Sequence, residues 1–360
     1  MSAVLSRLGL ERADRLLLAS AAVAVLLAGL LSATQAGAAP IFVVSGVALA
    51  VLTALVARAA DRLGERRGVR ATGALHATMG NLPLLVVGIA ALRAGLDAVL
   101  QAALIGAILG DSLLVLGVAF VVGGGRHGVQ RFAARMPRLI AALTLLSAAA
   151  LAVPTLAHGL HHPAGVHAEA LSVVSALVLL VVCAGSAPVI VAGRPAARNA
   201  DAHGDAARWP RGLAAAILVA AIIGVALVSD LFVGTLPRAT AALHLSPVFA
   251  GLVVVAFAGH VASNMAGVRL AARDQSDAAV AVILTGALQV ALGVIPALAL
   301  LSLVVGPMPL TLVWPGLLLA ALGLAALLGA LIVFDGASTW LEGVALIGLY
   351  GIVAVSVWWG

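Results

Sequence analysis

Lysine is absent from this chain of 360 residues, so all 20 of its Lys/Arg positions are arginine. Charge of either sign is scarce. Only 9% of residues are charged and 63% are hydrophobic, against roughly 25% and 45–50% in soluble domains. So little charge cannot cover a water-facing surface, which excludes an ordinary soluble domain. The single cysteine, Cys183, excludes an intramolecular disulfide and any cysteine metal cluster. It lies inside an apolar run, where packing is its expected role. Absent too are the H-E-x-x-H pattern of metalloproteases, a phosphate-binding loop and a nucleophile elbow, so no motif points to an enzyme.

What the chain does have is apolar runs of 18 or more residues, each long enough to span a bilayer as a helix. They fall near 15–33, 40–58, 72–92, 97–122, 138–156, 168–192, 211–234, 246–271, 278–304, 310–333 and 341–358. The first run lacks a small-residue cleavage site followed by a polar mature domain, so it reads as a retained helix rather than a signal peptide. Numbering the connections alternately puts Arg93 and Arg238 on one side and the other 18 arginines on the opposite side. That split is the positive-inside bias of membrane proteins. It explains the sequence pI near 11.3 without a nucleic-acid partner, and it implies a cytoplasmic amino terminus and an outside carboxyl terminus in a bacterial plasma membrane.

The expected fold is an all-α integral membrane protein of about eleven transmembrane helices. Residues 193–210 form the longest polar connection, a cytoplasmic linker. It divides a leading helix, 1–36, and a first five-helix repeat, 37–192, from a second five-helix repeat, 211–360. Five is odd, so the two repeats cross the membrane with opposite polarity, the inverted plan of many secondary transporters. Gly80-Asn81 in the third run and Gly259-His260 in the eighth are matching glycine-polar pairs. Each is followed by an Arg and Asp turn and then by a small-residue cluster, Gly106-Ala107 or Thr285-Gly286. Gly80, Gly106, Gly259 and Gly286 are the candidate helix-breaking and packing glycines, since interrupted helices free backbone groups to face an ion.

The stretch from Ala77 to Phe132 resembles the first repeat of the cation/proton exchangers of the calcium:cation antiporter superfamily. Their pattern runs A-T-x-G-N-x-x-E, A-L-x-x-G, G-S-x-x-x-N-x-L-L-V-L-G, then G-G and a Gln followed by Phe. Ala77, Thr78, Gly80, Asn81, Ala91, Leu92, Gly95, Gly106, Leu113 to Gly117, Gly123, Gly124, Gln130 and Phe132 fit it. In the second repeat Gly259 and Ala262 fit G-N-A-A-E, and Gln289 with Pro296 fits the Gln and Pro of the ninth helix. The resemblance implies exchange of an inorganic cation for protons across a lipid bilayer, with no organic cofactor. It also implies that Leu84 and Ser263 stand where the family has its two cation-binding glutamates, His260 where it has Asn, and Asp111 where it has the Asn of helix 4.

A carboxylate at mid-bilayer depth costs at least about 2.5–3.5 kcal/mol, so one that persists is expected to face a cavity and to work. Asp111 is that residue: it is the candidate cation ligand and the place where metal and proton would compete. Asn81, Ser263, Asn264 and Gln289 offer uncharged oxygens, and His76 and His260 are candidate proton relays. One carboxylate with amide and hydroxyl oxygens suits sodium or potassium at least as well as calcium. The alternative is a degenerate member that senses or regulates without transport. Asp230 is expected at a helix end, and His158, His161, His162 and His167 in an outer loop, where solvation is the more ordinary role than metal capture.

Overall fold

Backbone polar groups in a hydrocarbon environment must bond within their own segment, and uninterrupted apolar sequence therefore folds as helix. The structure, a computed structural model, describes residues 12–64, 79–192 and 209–359. Its helices are α1 Arg12–Ala33, α2 Ala38–Gly64, α3 Leu82–Arg93, α4 Asp97–His127, α5 Arg135–Gly159, α6 Ala168–Ala192 and α7 Arg211–Leu243. Next comes α8, in two legs, Pro247–His260 and Met265–Ala271, bent by 69°. α9 Ser276–Val305, α10 Gly316–Ile332 and α11 Trp340–Ser356 complete the chain. Two short strands, β1 Gln130–Arg131 and β2 Ala337–Ser338, pair antiparallel. Among the described residues seven helices are long and apolar enough to cross a membrane, or eight with the bent pair as one span; α3, α10 and α11 are shorter apolar helices.

Two boundaries depart from the sequence reading. α7 runs on to Leu243, which places Asp230 inside a helix rather than at its end, with its side chain exposed. The bend in α8, by contrast, falls just after Gly259, one of the candidate helix-breaking glycines. Residues 310–315 form no helix, with Pro309 and Pro315 at the two ends of the segment and Leu310, Leu312 and Trp314 buried. Proline removes a helix donor and disfavours helix in the residue before it. Side chains then satisfy the freed backbone. Gln101 donates to the carbonyls of Thr311 and Val313, Ser302 and Ser172 accept from the amides of Leu310 and Leu312, and Thr155 accepts from that of Trp314. This strap therefore ties together α4, α5, α6 and α9.

Long-range contacts sort the described connections into two groups. At one end, Arg58 on α2 pairs with Asp14 on α1 at 2.9 Å, and Trp209, just before α7, donates to the same carboxylate at 3.1 Å. The ends of α4 and α10 meet through β1 and β2, and Ala133 donates to Asp277 at the start of α9. At the other end stand the strap and the contact of Ser246, before α8, with the Val357 carbonyl after α11. Each of these contacts joins connections of the same parity in the chain, as consecutive helices running in opposite directions require. The linker, apart from Trp209 and Pro210, lies outside the described residues, as does His76.

Candidate cation and proton site

α4 and α8 approach backbone to backbone because small residues face each other. A Cβ on Gly106 would stand 2.1 Å from the Leu252 carbonyl oxygen, and one on Gly251 2.4 Å from that of Val99. Gly106 is thus a packing glycine inside regular helix, and it breaks nothing. The departures from α geometry come nearby, as wide π turns at Gly110–Val115 in α4 and at Ala250–Val255 and Phe257–Val261 in α8. Such turns insert an extra residue and re-aim the side chains on them. Asp111 lies in the first and His260 in the last. The His260 Nε2 and Asp111 Oδ2 atoms are 2.7 Å apart, with exposures of 1% and 0%. Roughly 20 Å of helix, at 1.5 Å per residue, separates Asp111 from the start of α4, so it cannot reach water along its own helix.

A second polar contact joins α3 to α9. Asn81 Nδ2 donates to Gln289 Oε1 at 2.9 Å, with Asn81 buried and Gln289 half-buried. Asn81 immediately precedes α3, whose first turn contains Pro83, a position where the missing N–H costs nothing. Gln289 ends the regular stretch Ser276–Gln289, ahead of a wide turn at Val290–Val294. That turn accommodates Pro296, whose ring would otherwise collide with the preceding helical turn. Gly286, like Gly106, sits within regular helix, buried, before the widening. Gly80 is buried at the entry to α3.

The turns that follow α3 and α8 are closed alike. The turn after α3 is closed by Gly95 N–H to Leu92 O and Leu96 N–H to Ala91 O; the turn after α8 by Asp274 N–H to Ala271 O and Gln275 N–H to Leu270 O. Gly95 and Asp274 both hold positive φ, 67° and 58°. Continuing that register pairs Gly80 with Gly259, Asn81 with His260, and Gly110, next to Asp111, with Gln289. The Asn81–Gln289 and His260–Asp111 contacts are therefore counterparts within one residue.

Leu84, in the register of Ser263, is 0% exposed and lies against Gly259, whose added Cβ would meet the Leu84 Cα at 3.5 Å. The side chains of Ser263 and Asn264 lie outside the described residues. The outer histidines do not assemble: among the described residues no three His, Cys, Asp or Glu side chains are grouped to hold a metal. His162 instead caps a turn by accepting from the Ala164 amide, and Cys183 packs 3.7 Å from the position of a Gly293 Cβ. The sequence reading missed Thr53 and the strap-binding Gln101, Thr155 and Ser172. A polar residue in an apolar run was the available signal, but nothing local names its distant partner.

The sequence model of the sodium/calcium exchanger protein family matches residues 37–187 and 213–359, most of the chain. The chain belongs to that family. A Ca(2+)/H(+) antiporter of Synechocystis sp. is 32% identical over 342 residues, covering 89% of this chain and 91% of that one. The Ca(2+)/H(+) antiporter ChaA of Bacillus subtilis is 30% identical over 323 residues, covering 88% and 91%. Among solved structures, native YfkE superposes with a TM-score of 0.81 at 27% identity, covering 95% of this chain and 99% of the other. This exchanger is accordingly a multi-pass membrane transporter of the cation/proton type within the calcium:cation antiporter superfamily, and not an enzyme.

Proposed function

We propose that the exchanger carries calcium in one direction and protons in the other by alternating access, with Asp111 and His260 at the centre of exchange. The observation that carries this reading is the fully buried carboxylate–imidazole contact of 2.7 Å. Doubly protonated, the pair holds one positive charge; fully deprotonated, it holds one negative charge. The difference is two charges, which a single divalent cation replaces. Protons leave as the cation arrives because a buried site tolerates little net charge. Asp111 supplies the hard anionic oxygen that calcium prefers, and the amide oxygens of Asn81 and Gln289 are candidates to complete its shell. Calcium is favoured over sodium and potassium by the names of the antiporters from Synechocystis and Bacillus.

The recurring turns after α3 and α8, and the parity of the end contacts, support eleven crossings arranged as a leading helix and two inverted five-helix repeats. The 18-to-2 split of arginines between alternate connections of the sequence supports a cytoplasmic amino terminus in a bacterial plasma membrane. The test is proton movement in reconstituted vesicles on adding calcium, sodium, potassium or magnesium in turn, for the wild type and Asp111→Asn. Calcium-driven proton release that the variant loses is the expected result. An undiminished variant would remove Asp111 from the mechanism, and a response to sodium or potassium but not calcium would overturn the substrate.

A further inference from the structure

The buried face of α2 carries two hydroxyl side chains that bond differently. Ser45 donates to the Ile41 carbonyl of its own helix at 2.6 Å, the local way of satisfying a helical hydroxyl. Thr53 Oγ1 donates across to α8, to the Ala258 carbonyl oxygen at 3.0 Å, and Thr53 is 0% exposed. Its acceptor lies in the wide turn Phe257–Val261. There the regular ladder is interrupted, and a carbonyl has to find a partner elsewhere. His260 is two residues further along the same turn. Between them Gly259 rests on Leu84. Besides the His260 contact with Asp111 on α4, the turn is thus touched from α3 by Leu84 and bonded from α2 by Thr53.

We infer that Thr53 is a positioning residue for His260, transmitting the placement of α2 to the Asp111–His260 pair; this rests on the exchange site proposed above. The carboxylate and imidazole groups stand on α4 and α8, whereas α2 packs along α7 as well as against α8, with Phe42 stacked on Phe232 at 4.7 Å and Gly46 facing the same ring. A displacement of α2 relative to α8 breaks the Thr53 bond, releases the Ala258 carbonyl and lets the turn rotate, carrying the imidazole off the carboxylate.

The full-length protein in vesicles, driven by calcium, provides the test. Thr53→Val keeps the shape and removes the donor. It is expected to raise the calcium concentration for half-maximal proton release roughly two- to tenfold, the range one hydrogen bond supplies, with the maximal rate retained. Thr53→Ser restores the wild-type value. A serine variant as impaired as the valine one would overturn the inference. Hydrogen exchange of peptides covering 250–271 decides the matter independently of transport. Faster exchange at 257–261 in Thr53→Val, but not in Thr53→Ser, is expected, and unchanged exchange refutes the role. A wild type that moves no protons would instead refute the proposed exchange.

Discussion

Two polar contacts occupy matching places, Asn81 with Gln289 and His260 with Asp111, and they differ in chemistry more than in geometry. Both link a glycine-polar pair to a polar residue beside a wide turn, at 2.9 and 2.7 Å. The first joins two amides and keeps its charge at every pH. The second joins an acid to a base and can hold a variable number of protons. On the mechanism proposed above, the ionisable crossing carries the proton coupling, while the amide crossing offers the cation only uncharged oxygens.

Substitutions can break or sharpen that contrast. The largest effect is expected from Asp111→Leu, which strands the imidazole in a dry site. Breaking a buried pair costs about 3–5 kcal/mol, visible as a lowered unfolding midpoint in detergent. Next comes Gly106→Val, where backbone stands in the way of the new side chain. Overpacking of this kind costs about 1–3 kcal/mol, and thermal unfolding in the same detergent checks it. Gln289→Leu removes one neutral hydrogen bond, about 0.6–1 kcal/mol in a membrane setting, and is expected to weaken calcium response without abolishing it. The smallest loss of stability is expected from Asp111→Asn combined with His260→Asn, which turns the ionisable crossing into a copy of the inert one. That double variant should fold with a near wild-type midpoint and release no protons in the vesicle assay. Retained release would show that the coupling groups lie elsewhere.

The helices were legible because apolar length is a local property, and so were the landmarks Gly80-Asn81, Asp111, Gly259-His260 and Gln289. Their pairing was not, since each contact joins residues far apart in sequence and depends on where the wide turns fall. Gly106 shows the limit well. Its smallness predicted a special backbone, but whether a glycine bends its own helix or admits a neighbour's carbonyl is decided by Leu252 on α8. The run at 310–315 misled for a related reason: its hydrophobicity is that of a helix, while Pro309, Pro315 and four distant side chains keep it from forming one. Asp230 looked terminal because a charge and then Pro237 interrupt the apolar run there, yet α7 continues through that proline to Leu243.

The strap between α9 and α10 has a practical consequence. Connections are ordinarily the places where a chain accepts insertions, and a proline-rich link between two hydrophobic stretches would be an obvious choice for an epitope or a fluorescent domain. Here the amides of Leu310, Leu312 and Trp314 and the carbonyls of Thr311 and Val313 are already taken by Gln101, Thr155, Ser172 and Ser302. Foreign sequence placed within it would unfasten four helices at once, so labels belong on other connections.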